Sequence, residues 1–334
     1  MQKISTMKVV AYSVKPFEKA CLAKANNKKH DITLISNSLS TETAFYAEGK
    51  EAVIVFTNDD VSEKVIDILA GFGIKYIATR SVGMDHIDNA AAAKHGIKIA
   101  NVPNYSPQAI AEHTIALALA LSRPLVVSDR HSREFNFKMD QLVGFNFFGK
   151  TIGLIGLDEV GLAVAKIFNG FGCKVLAFDV PVAENMENIY PVSLEGLYAN
   201  ADIISLHIPL TNGTKFMINS ASIAKMKKGV MLINTSSGGL MKTTDIFDAL
   251  KTGQIGYLGL DAYEFEKGLF FEDHRTDLVK EKLLKELLAL PNVLITPHQA
   301  FLTGEAIQQI AEQTIRALDT WQEESKALTL RIAG

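Results

Sequence analysis

The chain has 334 residues, 48% hydrophobic and 21% charged, which is typical of a globular protein with about two domains. Its formal net charge of −3 argues against nucleic-acid or anionic-membrane partners, and no apolar run reaches the roughly 18 residues of a membrane span. The amino terminus lacks a signal-peptide pattern, and Cys21 and Cys173 lack the spacing of a disulfide framework or zinc site, so we expect a cytoplasmic protein without a metal centre.

The first hundred residues alternate short apolar runs with helical patterns. Helices are predicted over 62–70 and 88–95. Buried parallel strands are predicted over 7–13, 32–35, 52–56, 75–80 and 97–101. This pattern is typical of a small α/β domain.

A second set of βα units follows a proline-containing break at 101–107 and an apolar helix predicted over 108–122. Its strands are predicted over 151–156, 174–179, 202–208, 230–234, 257–261 and 293–296. A final amphipathic helix over 304–322 is expected to pack back on the first domain, and the charged stretch 280–286 is expected to be a solvated helix face. We therefore predict one domain from 1–105 and 299–334, and another from 106–298.

The second domain begins with a dinucleotide-binding pattern. The strand "TIGLIG" is followed by a turn in which Gly156 and Gly161 occupy the first and third glycine positions of a GxGxxG motif, and then by a helix. Asp179 ends the next strand, where a carboxylate accepts hydrogen bonds from the adenosine ribose and disfavours a 2′-phosphate. The pattern predicts a Rossmann-type domain that binds NAD.

The middle glycine of this motif is replaced by Asp158, and Glu159 adds a second acid to the turn. A side chain at that position crowds the pyrophosphate, and a carboxylate repels it. At about 5 Å and an effective dielectric of about 20 the repulsion is about 3 kcal/mol, or roughly a hundredfold in affinity. We therefore expect weakened NAD binding, to a lesser degree if both acids point into water.

Several segments resemble the NAD-dependent D-2-hydroxyacid dehydrogenases, most closely the D-lactate dehydrogenase branch. They are "RSVGMDHID", "NVPNYSPQAIAEHT", "INTSSGGLMKTTDIFDALKTGQIGYLGLDAYEFE", "LFFEDH" and "PNVLITPHQAFLTGEAI". The resemblance covers nearly the whole chain in the same order. It implies a Rossmann-type cofactor domain and a smaller flavodoxin-like substrate domain, both doubly wound parallel-sheet domains, with a cleft between them.

The resemblance also implies catalytic residues. His298 would exchange a proton with the substrate oxygen while hydride moves between the substrate and nicotinamide, and Glu264 would hold its imidazole and favour the protonated ring. The family's arginine, which clamps the substrate carboxylate, is replaced by Ser237 in "NTSSG". Loss of such a partner from a buried charge pair typically costs about 2–5 kcal/mol.

Other positions match substrate and cofactor contacts of the family. The substrate contacts implied are Ser81, Val82, Gly83 and Tyr105, with Arg80 as a candidate substitute cation or a structural ion-pair partner. The cofactor contacts implied are Gly156, Asp158, Glu159, Val160, Gly161, Asp179, His207, Pro209, Thr235 and Asp261. Thr211 lies in the same segment as Pro209, and this segment is equally well explained as a turn without a cofactor role. His113 is expected to be a structural histidine.

Four interpretations follow. The chain is a working D-2-hydroxyacid dehydrogenase with a remodelled site, acting on lactate and pyruvate or a similar 2-hydroxy and 2-keto acid pair. Alternatively it is an inactive family member that binds or regulates, or an enzyme whose substrate lacks a carboxylate, or a chain engineered at Asp158 and Ser237. The resemblance also implies a homodimer formed through "RPLVVSDRHSREFNF".

Overall fold

The computed structural model describes residues 6–103, 105–178, 188–277 and 281–332, with side chains up to residue 325. Asp179, predicted to contact the adenosine ribose, lies outside the described residues. The chain divides into two compact units, Met1–Ser106 with Leu302–Gly334, and Pro107–Phe301. The crossings thus fall at residues 106 and 302, where the sequence predicts 105 and 299.

The strands and helices follow the predicted order. The strands are β1 Lys8–Ala11, β2 Asp31–Leu34, β3 Ala52–Val55, β4 Tyr76–Thr79, β5 Lys98–Ala100, β6 Thr151–Ile155, β7 Lys174–Phe178, β8 Ile189–Pro191, β9 Ile203–Leu206, β10 Val230–Asn234, β11 Ile255–Leu260 and β12 Val293–Ile295. The α-helices are α1 Lys19–Asn26, α2 Glu63–Gly71, α3 Asn89–Lys94, α4 Pro107–Ser122, α5 Leu125–Arg133, α6 Glu159–Gly170, α7 Leu194–Asn200, α8 Ser220–Ile223, α9 Thr243–Thr252, α10 Lys282–Leu288 and α11 Gly304–Ile332. Two 3₁₀ turns cover Ala44–Ala47 and Gly238–Leu240.

The first unit contains a parallel sheet with strand order β2-β1-β3-β4-β5. This is the flavodoxin-like order of a doubly wound sheet. One face packs on α2 and α3 through residues such as Val65 and Ala92. Leu318 and Trp321 of α11 pack with Val9 on the other face, so α11 returns to the first unit as predicted.

The second unit contains a parallel sheet with strand order β12-β11-β10-β9-β6-β7-β8. The chain runs outward from β6 in both directions, so β6 and β9 flank the point where the strand order reverses. In open α/β sheets, ligands bind outside the carboxyl ends of the strands at such a point. Both domains therefore have the predicted doubly wound architecture.

Within the described residues, no single helix is long and apolar enough to cross a membrane. The pair α4 and α5, bent by 64°, reaches that length and composition together. The apolar residues of α4 are explained by packing within the second unit, because Leu117 and Leu121 lie in its buried core.

Candidate active site

Two glycines after β6 are required by close backbone contacts. Gly156 has φ +102°, and a Cβ there would lie 2.0 Å from the carbonyl oxygen of His207. A Cβ on Gly161 would lie 2.3 Å from the carbonyl oxygen of Gly156. No larger residue fits either position without moving the backbone, so the close strand–turn–helix packing of a dinucleotide-binding turn is retained.

Asp158, the residue that replaces the middle glycine, is the N-cap of α6. Its backbone is extended, with φ −65° and ψ −174°, and its Oδ1 accepts a hydrogen bond from the Gly161 amide at 2.9 Å. The position does not need glycine for its conformation, since φ is negative. The carboxylate therefore has a structural role, and it occupies part of the helix N-terminus at which phosphates bind.

The remainder of the turn fits a dinucleotide. Within the part of the chain that the structure describes, the Glu159 and Val160 amides of the first turn of α6 have no hydrogen-bond acceptor. Such amides and the positive end of the helix dipole favour an anion. Asp158 and Glu159 are exposed, so water screens their charges in part. The glycine packing and the two amides support a pyrophosphate site with one competing carboxylate.

His207 lies at the carboxyl end of β9, against the glycine turn. Its Nε2 is 2.8 Å from the Ser205 hydroxyl, and its buried Nδ1 has no hydrogen-bond partner among the described residues. Complete burial lowers the pKa of His207 to about 3, so the ring is neutral near pH 7. The predicted contact of His207 with the cofactor stays a prediction.

The following segment forms a turn stabilised by its own side chains. Thr214 donates its hydroxyl hydrogen to the carbonyl of Pro209 at 2.8 Å and lies 3.1 Å from the hydroxyl of Thr211. Thr235, another predicted cofactor contact, is buried, and its hydroxyl is 2.8 Å from that of Thr114 on α4. These contacts give Pro209, Thr211 and Thr235 structural roles, and a cofactor role stays a prediction.

Ser237 lies in a tight turn at the carboxyl end of β10. Asn234 holds this turn, because its side chain donates to the Ser237 carbonyl at 2.8 Å and accepts from the Ser236 amide at 3.0 Å. A Cβ on the next residue, Gly238, would lie 2.2 Å from the backbone of Tyr263. The turn is thus packed on the segment after β11 and does not depend on the side chain at position 237.

His298 follows β12 and pairs with Glu266. The distance from His298 Nδ1 to Glu266 Oε1 is 2.8 Å, and both side chains are 26% exposed. The second oxygen of Glu266 accepts from the Tyr263 amide at 3.0 Å, which fixes the carboxylate. This is the arrangement that a general acid–base histidine requires: a fixed ring, a carboxylate partner and partial access to solvent.

The prediction that Glu264 pairs with His298 is wrong. Glu264 Oε2 instead accepts from the Thr243 amide at the start of α9, at 2.9 Å. Both glutamates lie in the loop "AYEFE", two residues apart, where no helix or strand period fixes which carboxylate faces His298. No local sequence pattern distinguishes Glu266 from Glu264, because the pairing depends on how this loop folds back.

Asp261 holds the loop that carries His298. The backbone of His298 is in the left-handed region, with φ +53°, which is uncommon for a non-glycine residue. Asp261 accepts from the Gln299 amide at 2.9 Å and from the Ala300 amide at 2.8 Å. Burial alone would raise the pKa of Asp261, but its hydrogen bonds, first of all from His113, lower that pKa below its ordinary value.

His113 on α4 is part of the same network. Its Nε2 is 3.0 Å from the Thr296 hydroxyl and 3.3 Å from Asp261 Oδ1, while Thr296 donates to Asp261 at 2.6 Å. His113 therefore has a structural role, as predicted, and it supports the loop that carries His298. Sequence reasoning missed this connection because the contact spans about 150 residues of chain.

The predicted substrate residues of the first unit follow β4. The Ser81 hydroxyl donates to the Gly83 carbonyl at 2.7 Å, and Asn101 donates to the Val82 carbonyl at 2.8 Å, so this turn is held from within its own unit. Tyr105 is half-buried just before α4. Contacts of these residues with a substrate stay a prediction.

Arg80 does not act as a substitute for the missing arginine. Its side chain is fully buried, with Nε 3.1 Å from Glu18 Oε2 and Nη2 donating to the carbonyl of Tyr12 at 2.8 Å. Of the two roles proposed for it, the structure therefore supports the structural ion pair. Among the described residues, no group of three or more histidine, cysteine or acidic side chains is arranged to hold a metal ion.

Comparison with known proteins defines the class. Residues 115–300 match the family model of the D-isomer specific 2-hydroxyacid dehydrogenase NAD-binding domain. The chain belongs to this family, whose cofactor is NAD.

Individual relatives cover nearly the whole chain. It is 40% identical to a D-lactate dehydrogenase of Escherichia coli over 95% of this chain and 97% of that protein. It is 42% identical to a 2-hydroxyacid dehydrogenase homolog of Haemophilus influenzae over 92% of this chain and 94% of that protein. These identities agree with the D-lactate dehydrogenase branch that the sequence motifs indicate.

Solved structures are similar over the same extent. The pyruvate reductase of Chlamydomonas reinhardtii superimposes with a TM-score of 0.89 at 41% identity, covering 96% of this chain and 98% of that one. The D-lactate dehydrogenase of Aquifex aeolicus, solved with NAD and lactic acid, gives 0.85 at 32% identity, covering 95% and 96%.

Proposed function

We propose that the chain catalyses hydride transfer between NAD(H) and a 2-keto or 2-hydroxy acid of the lactate type, with weakened cofactor and substrate binding. The observation that carries the proposal is the His298–Glu266 pair at 2.8 Å. This pair lies at the carboxyl ends of the strands of the second sheet, as does the glycine turn of Gly156 and Gly161. A proton-transfer pair and a dinucleotide turn at one edge are the two parts that such a reaction needs.

The proposed mechanism assigns one step to each part of the site. The turn after β6 and the first amides of α6 would hold the pyrophosphate of NADH, which would supply the hydride when bound. Glu266 engages Nδ1 of His298, so Nε2 is the atom assigned to give a proton to the substrate oxygen and to take it back in the reverse direction. Asp261 and His113 keep the His298 loop in its strained conformation.

Weakened binding is proposed from two replacements. Asp158 places a carboxylate on an amide of the phosphate-binding turn, where its repulsion of a phosphate is at most about 3 kcal/mol at about 5 Å because water screens the exposed side chain. Ser237 cannot form the paired hydrogen bonds that arginine forms with a substrate carboxylate. The two changes act on different ligands, so their effects on cofactor affinity and on substrate turnover are separable.

A second candidate is a family member without turnover that binds a ligand or regulates a partner. The specific observation in its favour is that Asp158 caps α6 through the Gly161 amide, so the helix terminus is stable without a bound phosphate. A protein that only binds a ligand or a partner would therefore keep α6 folded without NAD.

Two reversions, Asp158→Gly and Ser237→Arg, test these candidates singly and together. NADH binding is measured by calorimetry and turnover by NADH oxidation with a panel of 2-keto acids. We expect Asp158→Gly to increase NADH affinity and the double variant to gain turnover of pyruvate. A double variant that binds NADH but leaves every keto acid unreduced would contradict the dehydrogenase proposal and favour the binding protein.

We also propose that the chain forms a homodimer through α5 and the segment after it. Large apolar side chains there are between 72% and 89% exposed, which is unusual for a surface without a partner. They are Phe135, Phe137, Met139, Val143 and Phe148. Light scattering is expected to give a dimer for the wild type and a monomer for Phe135→Glu with Phe137→Glu; a wild-type monomer would contradict this.

A further inference from the structure

The hydroxyl of Ser237 has no hydrogen-bond partner among the residues that the structure describes, although the residue is half-buried. Its backbone is extended and its carbonyl is held by Asn234, so the turn sets the direction of the Cα–Cβ bond. A serine hydroxyl can donate one hydrogen bond and accept others, and it carries no charge. The turn therefore offers a neutral group at the position where the family has a cation.

Neighbouring side chains of the turn do not restore a cation. Gly238 is packed against the backbone of Tyr263, and a Cβ on Gly239 would lie 2.8 Å from the Leu210 side chain. The nearest lysine along the chain, Lys242, lies 3.0 Å from Asp245 in an ion pair at the start of α9. Arg80 is likewise held in its buried pair with Glu18, so neither of these two cations replaces the family's arginine.

The segment packed on this turn is acidic. Gly238 lies against the backbone of Tyr263 and Glu264, and Glu266 follows two residues later to meet His298. Both glutamates are half-buried. A substrate carboxylate brought into a partly desolvated site beside Glu266 and without an arginine would be disfavoured by repulsion and by loss of hydration. A neutral polar group avoids the charge repulsion, and its desolvation costs less than that of a carboxylate.

We propose that the site prefers a small 2-oxo compound that is neutral at the substrate position where the family's arginine would engage a carboxylate, with a 2-oxo amide as the best match. An amide presents both a donor and acceptors, which suits the hydroxyl of Ser237, whereas a carboxylate only accepts. The inference rests on the proposed hydride transfer and changes the preferred substrate from a 2-keto acid to the corresponding 2-oxo amide.

The reaction balances with NADH as the reductant. The carbonyl carbon receives the hydride and the carbonyl oxygen receives a proton from His298, so the C=O double bond becomes one C–H and one O–H bond. NADH is oxidised to NAD⁺ and the 2-oxo amide is reduced to a 2-hydroxy amide. The amide bond is unchanged, and His298 regains its proton from solvent.

Pyruvamide and pyruvate provide the test, because they have nearly the same shape and differ in charge. NADH oxidation is measured with each compound in the wild type and in Asp158→Gly, whose cofactor site lacks the competing carboxylate. We expect kcat/KM for pyruvamide to exceed that for pyruvate by about tenfold or more. Ser237→Arg is expected to reverse the preference, whereas Ser220→Arg, the same change at an exposed position of α8, leaves it unchanged.

A second readout does not depend on turnover. Saturation-transfer NMR with NAD⁺ present, where the ketone cannot be reduced, is expected to detect pyruvamide bound to the wild type and pyruvate bound to Ser237→Arg. An equal or greater preference for pyruvate in the wild type would overturn the inference and leave the proposed function standing. NADH binding without binding or reduction of pyruvamide would also overturn it. Absence of NADH binding from both the wild type and Asp158→Gly would reject the proposed function itself, and this inference with it.

Discussion

The loop after β12 and the turns after β6 and β10 all follow the carboxyl ends of strands in the same parallel sheet. They differ in whether the side chains expected to contact ligands match those of the family. In the loop, His298, Glu266 and Asp261 form a connected set of hydrogen bonds. In the two turns, the backbone is retained by glycines and by Asn234, while residues at family ligand contacts are replaced. Turn geometry and ligand chemistry therefore depend on different residues, and the second can change without loss of the first.

The largest expected effect comes from removing the proton-transfer group. His298→Gln is expected to lower kcat by about 10²- to 10⁴-fold, because general acid–base catalysis contributes that much. The measurement is pyruvate reduction in the Asp158→Gly, Ser237→Arg double variant. The matched control is His95→Gln, which changes an exposed histidine paired with Asp67 in the first unit. Equal rates in both variants would show that His298 does not transfer the proton.

The next effect distinguishes the two glutamates of the "AYEFE" loop. Glu266→Gln is expected to lower kcat/KM by roughly a hundredfold, because a neutral amide cannot stabilise the imidazolium that forms during the reaction. Glu264→Gln keeps an oxygen for the Thr243 amide and should change kcat/KM less than threefold, on the order of a surface effect. The opposite ranking of the two variants would restore Glu264 as the partner of His298.

A smaller effect separates the charge of Asp158 from its capping role. Asp158→Asn and Asp158→Ala both remove the carboxylate and are expected to increase NADH affinity, by up to roughly a hundredfold. Only the alanine variant loses the hydrogen bond to the Gly161 amide, so only it should lose about 1 kcal/mol of unfolding free energy. Calorimetric titration and urea unfolding measure the two quantities. Unchanged NADH affinity in both variants would mean that the carboxylate does not oppose the cofactor.

Much of the fold was predictable because the strands are continuous apolar runs bounded by turns. The predicted helices 62–70 and 108–122 correspond to Glu63–Gly71 and Pro107–Ser122. The short strand Ile189–Pro191 was missed, since three residues ending in proline show no strand pattern.

The cytoplasmic location stays a prediction.

The site was less predictable because its side chains meet across long sequence separations. His298 follows from motif and strand position, but its pairing with Glu266 depends on the fold of a loop without periodicity. The cap at Asp158 had a usable signal, because aspartate directly before a predicted helix is a preferred N-cap. As a replacement for the middle glycine of the motif, Asp158 indicates only weakened NAD binding and does not reveal its capping role.

The smallest effect concerns His207, which lies against the glycine turn after β6. Its folded pKa of about 3 is below the ordinary value of 6.5, since burial disfavours the charged ring. The unfolded chain therefore binds this proton first as pH falls, and stability is lost below about pH 6.5, down to about pH 3. The contribution to the slope is about 1.4 kcal/mol per pH unit once the unfolded ring is protonated.

His207→Gln should remove this contribution, so the unfolding free energy of the variant, measured in urea, should fall less steeply than that of the wild type between about pH 6 and pH 5. Ser205→Ala removes the 2.8 Å contact to Nε2 but leaves the ring buried, and it should keep the wild-type slope. A flattened slope in Ser205→Ala would mean that the hydrogen bond, rather than desolvation, keeps His207 neutral. An unchanged slope in His207→Gln would place the acid sensitivity of this domain in other groups and leave His207 with a packing role under the glycine turn.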